Sequence, residues 1–85
     1  MQKTEQRRLT MRIVSENKSF DIPYERFLIG LIKIDSVVEM YARDEQGVEY
    51  ILADYKTVAQ AQTEMTQIRL AYKRGEKMYL MEGTK

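Results

Sequence analysis

The chain has no cysteine, no histidine, one proline and four glycines among its 85 residues. Without cysteine there is no disulfide, and metal sites built on thiolates are excluded. Without histidine the commonest general base and the usual metal ligand are missing, and with them every Ser–His or Cys–His nucleophile. The glycines stand alone at positions 30, 47, 75 and 83, so no glycine-rich phosphate loop exists. No apolar run approaches the roughly 18–20 residues that a membrane span needs. The stretch Met1 to Leu9 is polar and lacks the apolar core of a signal peptide. A cytoplasmic protein with no membrane partner is expected, and the missing cysteine fits a reducing compartment. No cofactor and no metal is expected either, and an enzyme is not.

Carboxylate pairs are the remaining route to acid–base chemistry. Asp44 with Glu45, and Glu39 with Glu49 across a predicted hairpin, are the close candidates. Both lie in or near a turn rich in solvent-facing residues, where plain surface charge is the simpler account.

What is present is an ordinary globular composition, 44% hydrophobic and 32% charged. A chain of this size makes one domain with a modest core, burying about 60–65% of its unfolded surface. Having no staples, it must pack well or gain stability by self-association, so a homodimer is a candidate state.

The net charge of +1 makes no global case for nucleic acid. Its distribution is uneven. Residues 1–12 carry Lys3, Arg7, Arg8 and Arg12 against Glu5, a net +3. Residues 35–54 carry Asp35, Glu39, Asp44, Glu45, Glu49 and Asp54 against Arg43, a net −5. Residues 56–85 carry six basic against three acidic side chains, a net +3. Either an acidic hairpin and a basic edge meet different partners, or solvated faces partly neutralise each other.

Residues 1–10 show no periodicity and are expected to be a flexible arm, with a single α+β domain over 11–82. Met11 to Ser15 alternates as a strand with Met11 and Ile13 on one face. Asn17 is expected to take the left-handed position of the following turn. Ser19 to Ile22 alternates again, Phe20 and Ile22 inward, until Pro23 ends the strand. Phe27 to Ile34 is apolar on both faces and interrupted by Gly30, which marks a bulge or a close backbone approach. Val37 to Arg43 places Val38, Met40 and Ala42 on one face. Asp44 to Gly47 is a turn with glycine at positive φ. Val48 to Ala53 sets Val48, Tyr50 and Leu52 against Glu49, Ile51 and Ala53.

The spacing predicts a helix over about 57–74. Thr57 and Gln60 form a capping box. Val58, Ala61, Met65, Ile68 and Tyr72 recur at three- and four-residue intervals on one face, with Glu64 among the side chains assigned to solvent. Lys73 and Arg74 suit the last turn, and Gly75 ends it. Met78 to Met81 is a short closing strand. The expected fold is an antiparallel β-meander of about five strands or a partial barrel, one amphipathic helix and a short C-terminal strand.

The run at 27–34 is the sharpest functional clue. One helix covers one face only, so the other must be closed by curvature of the sheet, by a second subunit or by a partner protein. Phe27, Ile29 and Leu31 are the candidate interface. A nucleic-acid reading rests on six tyrosines beside basic residues, with Arg7, Arg8, Arg12, Tyr24 and Arg26 as candidate contacts. Tyr41 beside Arg43 and Tyr72 beside Lys73 share that pattern, but Tyr50 and Tyr72 fit the inward pattern, and the acidic hairpin repels phosphate.

The segments Met11-Arg-Ile-Val-Ser15, Asp21-Ile-Pro-Tyr-Glu25 and Ala53-Asp-Tyr-Lys-Thr57 resemble a group of small uncharacterised proteins from prophages and mobile elements of Gram-positive bacteria. The resemblance spans residues 11–81, and those proteins tend to begin where Met11 stands. It carries no catalytic residue. It implies an accessory protein of a phage or mobile element that binds a host factor or inhibits a host defence enzyme. Taken together, a non-catalytic protein-binding or regulatory module, self-associating, is the expected function.

Overall fold

A computed structural model describes residues 11–83. The elements run β1 (Arg12–Val14), β2 (Asp21–Pro23), β3 (Leu28–Ile34), β4 (Val37–Arg43), β5 (Glu49–Tyr55), α1 (Val58–Lys73) and β6 (Met78–Leu80). A 3-10 turn at Tyr24–Arg26 joins β2 to β3. The class is α+β, as the patterning predicts, but the strands divide between two sheets. One has the order β2-β1-β6 and the other β3-β4-β5. The meander therefore holds for three strands rather than five, and no closed barrel forms among the described residues. The closing strand β6 joins β1 in parallel, with Ile13 opposite Tyr79. The predicted arm at residues 1–10 lies outside the described residues.

Local chemistry accounts for the turns. Between β1 and β2 the left-handed residue is Lys18, with φ 66°, not Asn17. Asn17 instead accepts hydrogen bonds through its amide oxygen from Ser15 Oγ (2.8 Å) and the Ser19 N–H (2.9 Å). Asp44 holds the β4–β5 turn by accepting from the N–H groups of Gln46 and Val48, both at 2.9 Å.

The helix boundaries agree with the expectation. Thr57 Oγ1 accepts from the Gln60 N–H, and the Gln60 side chain accepts from the Thr57 N–H. At the far end the Glu76 N–H reaches Ala71 O and the Gly75 N–H reaches Tyr72 O, the two bonds of a Schellman motif, with Gly75 at φ 79°. The buried stripe is Ala61, Glu64, Ile68 and Ala71, flanked by half-buried Met65 and Tyr72. Two assignments change: Val58 is exposed, and Glu64 is buried. Glu64 lies three residues after Ala61 and four before Ile68, so helical geometry places it on their line whatever its polarity.

Core residues come from all three layers. Met11, Ile13, Ile22 and Met81 from the first sheet meet Val38, Met40, Ala42, Leu52 and Tyr55 from the second and Ala61, Ile68 and Ala71 from α1. Burying a side chain such as Ile13, Leu52 or Ile68 stabilises by about 1.5–3 kcal/mol.

A bulge joins the two sheets. Met40 pairs with Ala53 and Tyr41 with Ile51, which leaves Leu52 without a partner on β4. Leu52 and Ala53 both turn inward, breaking the alternation read from the sequence. The Leu52 carbonyl accepts from the Glu16 N–H at 2.7 Å, and Glu16 Oε1 accepts from the Asp54 N–H at 3.2 Å. Glu16, just beyond β1, thus stitches the first sheet to the edge of the second.

Candidate functional site

Glu64 is the one buried charged residue among those described, with 7% of its surface exposed. Four donors converge on its carboxylate. Oε1 accepts from Tyr55 Oη at 2.5 Å and from the Gly83 N–H at 2.9 Å. Oε2 accepts from Tyr79 Oη at 3.1 Å and from the Glu82 N–H at 2.7 Å. No lysine or arginine among the described residues pairs with it. Burial pushes the Tyr55 hydroxyl well above its ordinary range, and the hydrogen bond to Glu64 and its negative charge push it further. Tyr79 is raised by burial first, then by the Glu64 charge and hydrogen bond. Both phenols therefore stay protonated and donate.

A cleft of about 290 Å³ opens at this cluster, lined by Gln60, Thr63, Glu64 and Gln67 from α1 together with Tyr55, Tyr79, Glu82 and Gly83. Two donors on each oxygen fill the lone-pair sites of the carboxylate. Glu64 therefore has no acceptor left for a substrate or a metal. Its geometry is that of a clasp tying α1, β5 and the C-terminal strand together. Among the described residues, no group of three or more acidic side chains is placed to hold a metal ion.

The other feature is the face of β3-β4-β5 turned away from α1. The helix packs against all three strands on one side only. Phe27, Ile29 and Leu31 point to that covered side and are half-buried against the core. Strand alternation then turns the intervening residues outward, with Leu28 58%, Ile32 47% and Ile34 47% exposed. The candidate interface shifts accordingly from Phe27, Ile29 and Leu31 to their neighbours. Val37 and Ile51 are also exposed on this face. β3 is an edge strand, not the central one.

Register orders the open face in rows. Leu28 lies opposite Arg43, and Arg43 opposite Glu49. Gly30 is followed by Tyr41 and Ile51, and Ile32 by Glu39 and Asp54. Ile34 and Val37 close the hairpin. Gly30 has a steric reason. A Cβ there would stand 2.6 Å from Tyr41 Oη and 2.7 Å from Cζ, because the tyrosine ring lies across the glycine. Arg43 stacks over the same ring at 5.3 Å from its centroid and binds Glu49 Oε2 at 2.6 Å.

The proposed carboxylate pairs are not brought together as expected. Glu39 faces Asp54, while Glu49 engages Arg43 and Asp44 caps its own turn. Of the candidate nucleic-acid contacts, Arg7 and Arg8 lie outside the described residues. Arg12 binds Asp21 Oδ1 at 2.7 Å. Tyr24 packs on Tyr72, ring centroids 5.0 Å apart, and the Tyr72 hydroxyl donates to the Glu25 carboxylate. Arg26 is exposed at the end of the 3-10 turn. Tyr72 and Tyr50 are half-buried, as their inward pattern suggests.

Sequence reasoning missed Glu64, because a glutamate on a helix is assigned to solvent by type. The signal that could have found it was its position on the line from Ala61 to Ile68. No helix among the described residues is long and apolar enough to cross a membrane. No family model, curated protein or solved structure matches the chain.

Proposed function

We propose that the chain is a non-catalytic protein-binding module, cytoplasmic, acting through the open face of β3-β4-β5. The observation that carries this reading is the group of five exposed large aliphatic side chains on that face, Leu28, Ile32, Ile34, Val37 and Ile51. An apolar patch rimmed by charge is the usual mark of a protein contact. The non-catalytic part is supported by the saturated carboxylate of Glu64 and by the absence of histidine and cysteine. A role as a regulatory accessory of a phage or mobile element rests on the sequence resemblance alone.

Affinity capture from a Gram-positive host lysate tests the reading, comparing the wild-type chain with an Ile32→Ser/Ile34→Ser variant shown to be folded by circular dichroism. Proteins retained by the wild type should be lost by the variant. Recovery of the same set by both would end the assignment of binding to this face.

Homodimerisation is a second reading, favoured by the edge position of β3, whose seven residues pair, among the described residues, only with β4. Such an edge is a template for another strand, although the exposed Lys33 near its C-terminal end opposes that use. Light scattering at high protein concentration decides it. No comparable observation favours nucleic acid, since Arg12 and Tyr24 are already engaged within the fold.

A further inference from the structure

We propose that the open face of β3-β4-β5 takes a basic, apolar polypeptide segment of a partner protein, one that presents lysine or arginine between aliphatic side chains. This rests on the protein-binding reading above and adds the chemistry of the partner. Residues 28–55 carry six acidic side chains, Asp35, Glu39, Asp44, Glu45, Glu49 and Asp54, against two basic ones, Lys33 and Arg43. Lys33 belongs to the helix side of β3 by alternation, and Arg43 is held by Glu49. Asp35, Asp44 and Glu45 lie in the hairpin turns, and the rows of the open face itself hold Glu39, Glu49 and Asp54 against Arg43, a negative balance of charge.

It is also placed among the aliphatic groups. Glu39 lies across the ladder from Ile32, one row below Tyr41 and Ile51 and one row above Val37. Neighbouring strands are about 4.8 Å apart, so a partner covering Ile32 also covers the Glu39 carboxylate. A purely apolar partner would bury that carboxylate without a counter-charge, which is costly. A second copy docking face to face would bring two negative faces together. Nucleic acid and anionic lipid surfaces are repelled for the same reason. A cation between aliphatic contacts satisfies both parts of the surface at once.

The test uses the full chain and three labelled synthetic peptides. One has an amphipathic lysine/leucine pattern, the second replaces every lysine by glutamate, and the third replaces every leucine by serine. Fluorescence anisotropy should show the lysine/leucine peptide binding at least about tenfold more tightly than either control, and weakening as salt rises. Glu39→Lys and Ile32→Ser, each checked for folding by circular dichroism, should each weaken binding by about fivefold or more. Equal binding of the glutamate peptide, or binding unchanged by Glu39→Lys, overturns the inference. So does a dimer that Ile32→Ser dissolves, or recruitment to phosphatidylserine vesicles through Ile32. The dimer result would leave the protein-binding reading standing. No peptide binding, together with lysate capture unaffected by Ile32→Ser/Ile34→Ser, removes both.

Discussion

The Tyr55 hydroxyl donates to Glu64 Oε1 at 2.5 Å, joining the last residue of β5 to the second turn of α1. Through the same carboxylate, the backbone N–H groups of Glu82 and Gly83 are held 18 and 19 residues further along the chain. A Glu64→Gln substitution keeps the shape but turns one oxygen into an amide nitrogen. A tyrosine hydroxyl facing that nitrogen can rotate and accept. A backbone N–H cannot, so one buried donor is left without a partner. The expected loss is about 1–3 kcal/mol for Glu64→Gln, and more for Glu64→Ala, which orphans both N–H groups. Urea denaturation measures the loss. Faster hydrogen exchange at Glu82 and Gly83 would place it at the clasp.

Alkaline pH should loosen the same clasp. The folded pKa values of Tyr55 and Tyr79 lie above the ordinary value of 10.0. Their contribution to stability is complete below about pH 10. Above it the unfolded chain releases protons that the folded chain keeps, so stability falls as pH rises. Tyr55 alone gives a slope of up to about 1.4 kcal/mol per pH unit. Tyr79 is half-buried and adds less, because solvent reaches its side chain and screens the interaction. Denaturation midpoints measured from pH 8 upward should show this decline, and Tyr55→Phe should flatten it. A decline of the same slope in Tyr55→Phe would place its cause elsewhere.

Gly30 and Tyr41 should behave as a coupled pair. A Cβ on residue 30 meets the far end of the Tyr41 side chain, which must swing away from the glycine and from Arg43. Gly30→Ala is expected to cost on the order of 1 kcal/mol, despite the lower strand propensity of glycine. In a Tyr41→Thr background the cost should vanish or reverse. A double-mutant cycle yielding about 0.5 kcal/mol or more of interaction energy confirms the overlap, and additivity refutes it.

The ends of α1 carry separable contributions. Thr57→Ala removes the side-chain acceptor of the capping box and should cost about 1 kcal/mol. Gly75→Ala forces a Cβ into the left-handed conformation at φ 79°, with a loss of about 1 kcal/mol. Thermal unfolding should show each variant lowered by about 4–8 °C, and the double variant by nearly their sum, since the sites lie at opposite ends of the helix.

Local signals carried the elements whose causes are local. The capping box at Thr57 and Gln60, the stop at Gly75 and the inward set Val38, Met40 and Ala42 were legible because each depends on residues a few positions apart. Reading failed where a distant chain segment supplies the partner. Glu64 looks like a surface residue until Tyr55, Tyr79, Glu82 and Gly83 are brought to it. The bulge at Leu52 is invisible in an alternating sequence, because its spare carbonyl is satisfied by Glu16, far away in the chain.

The sequence by itself determined the fold class, the capped helix and a third strand with apolar side chains on both faces, because propensity and periodicity act over one or two turns or one strand. Only the tertiary structure decided how the strands divide between two sheets, and that β3 is an edge strand. That choice depends on long-range pairing, β6 with β1 and Glu16 with β5, which no local pattern encodes. It also decided which face of β3 remains open. Phe27, Ile29 and Leu31 pack against the core, and strand alternation leaves Leu28, Ile32 and Ile34 outside beside Glu39.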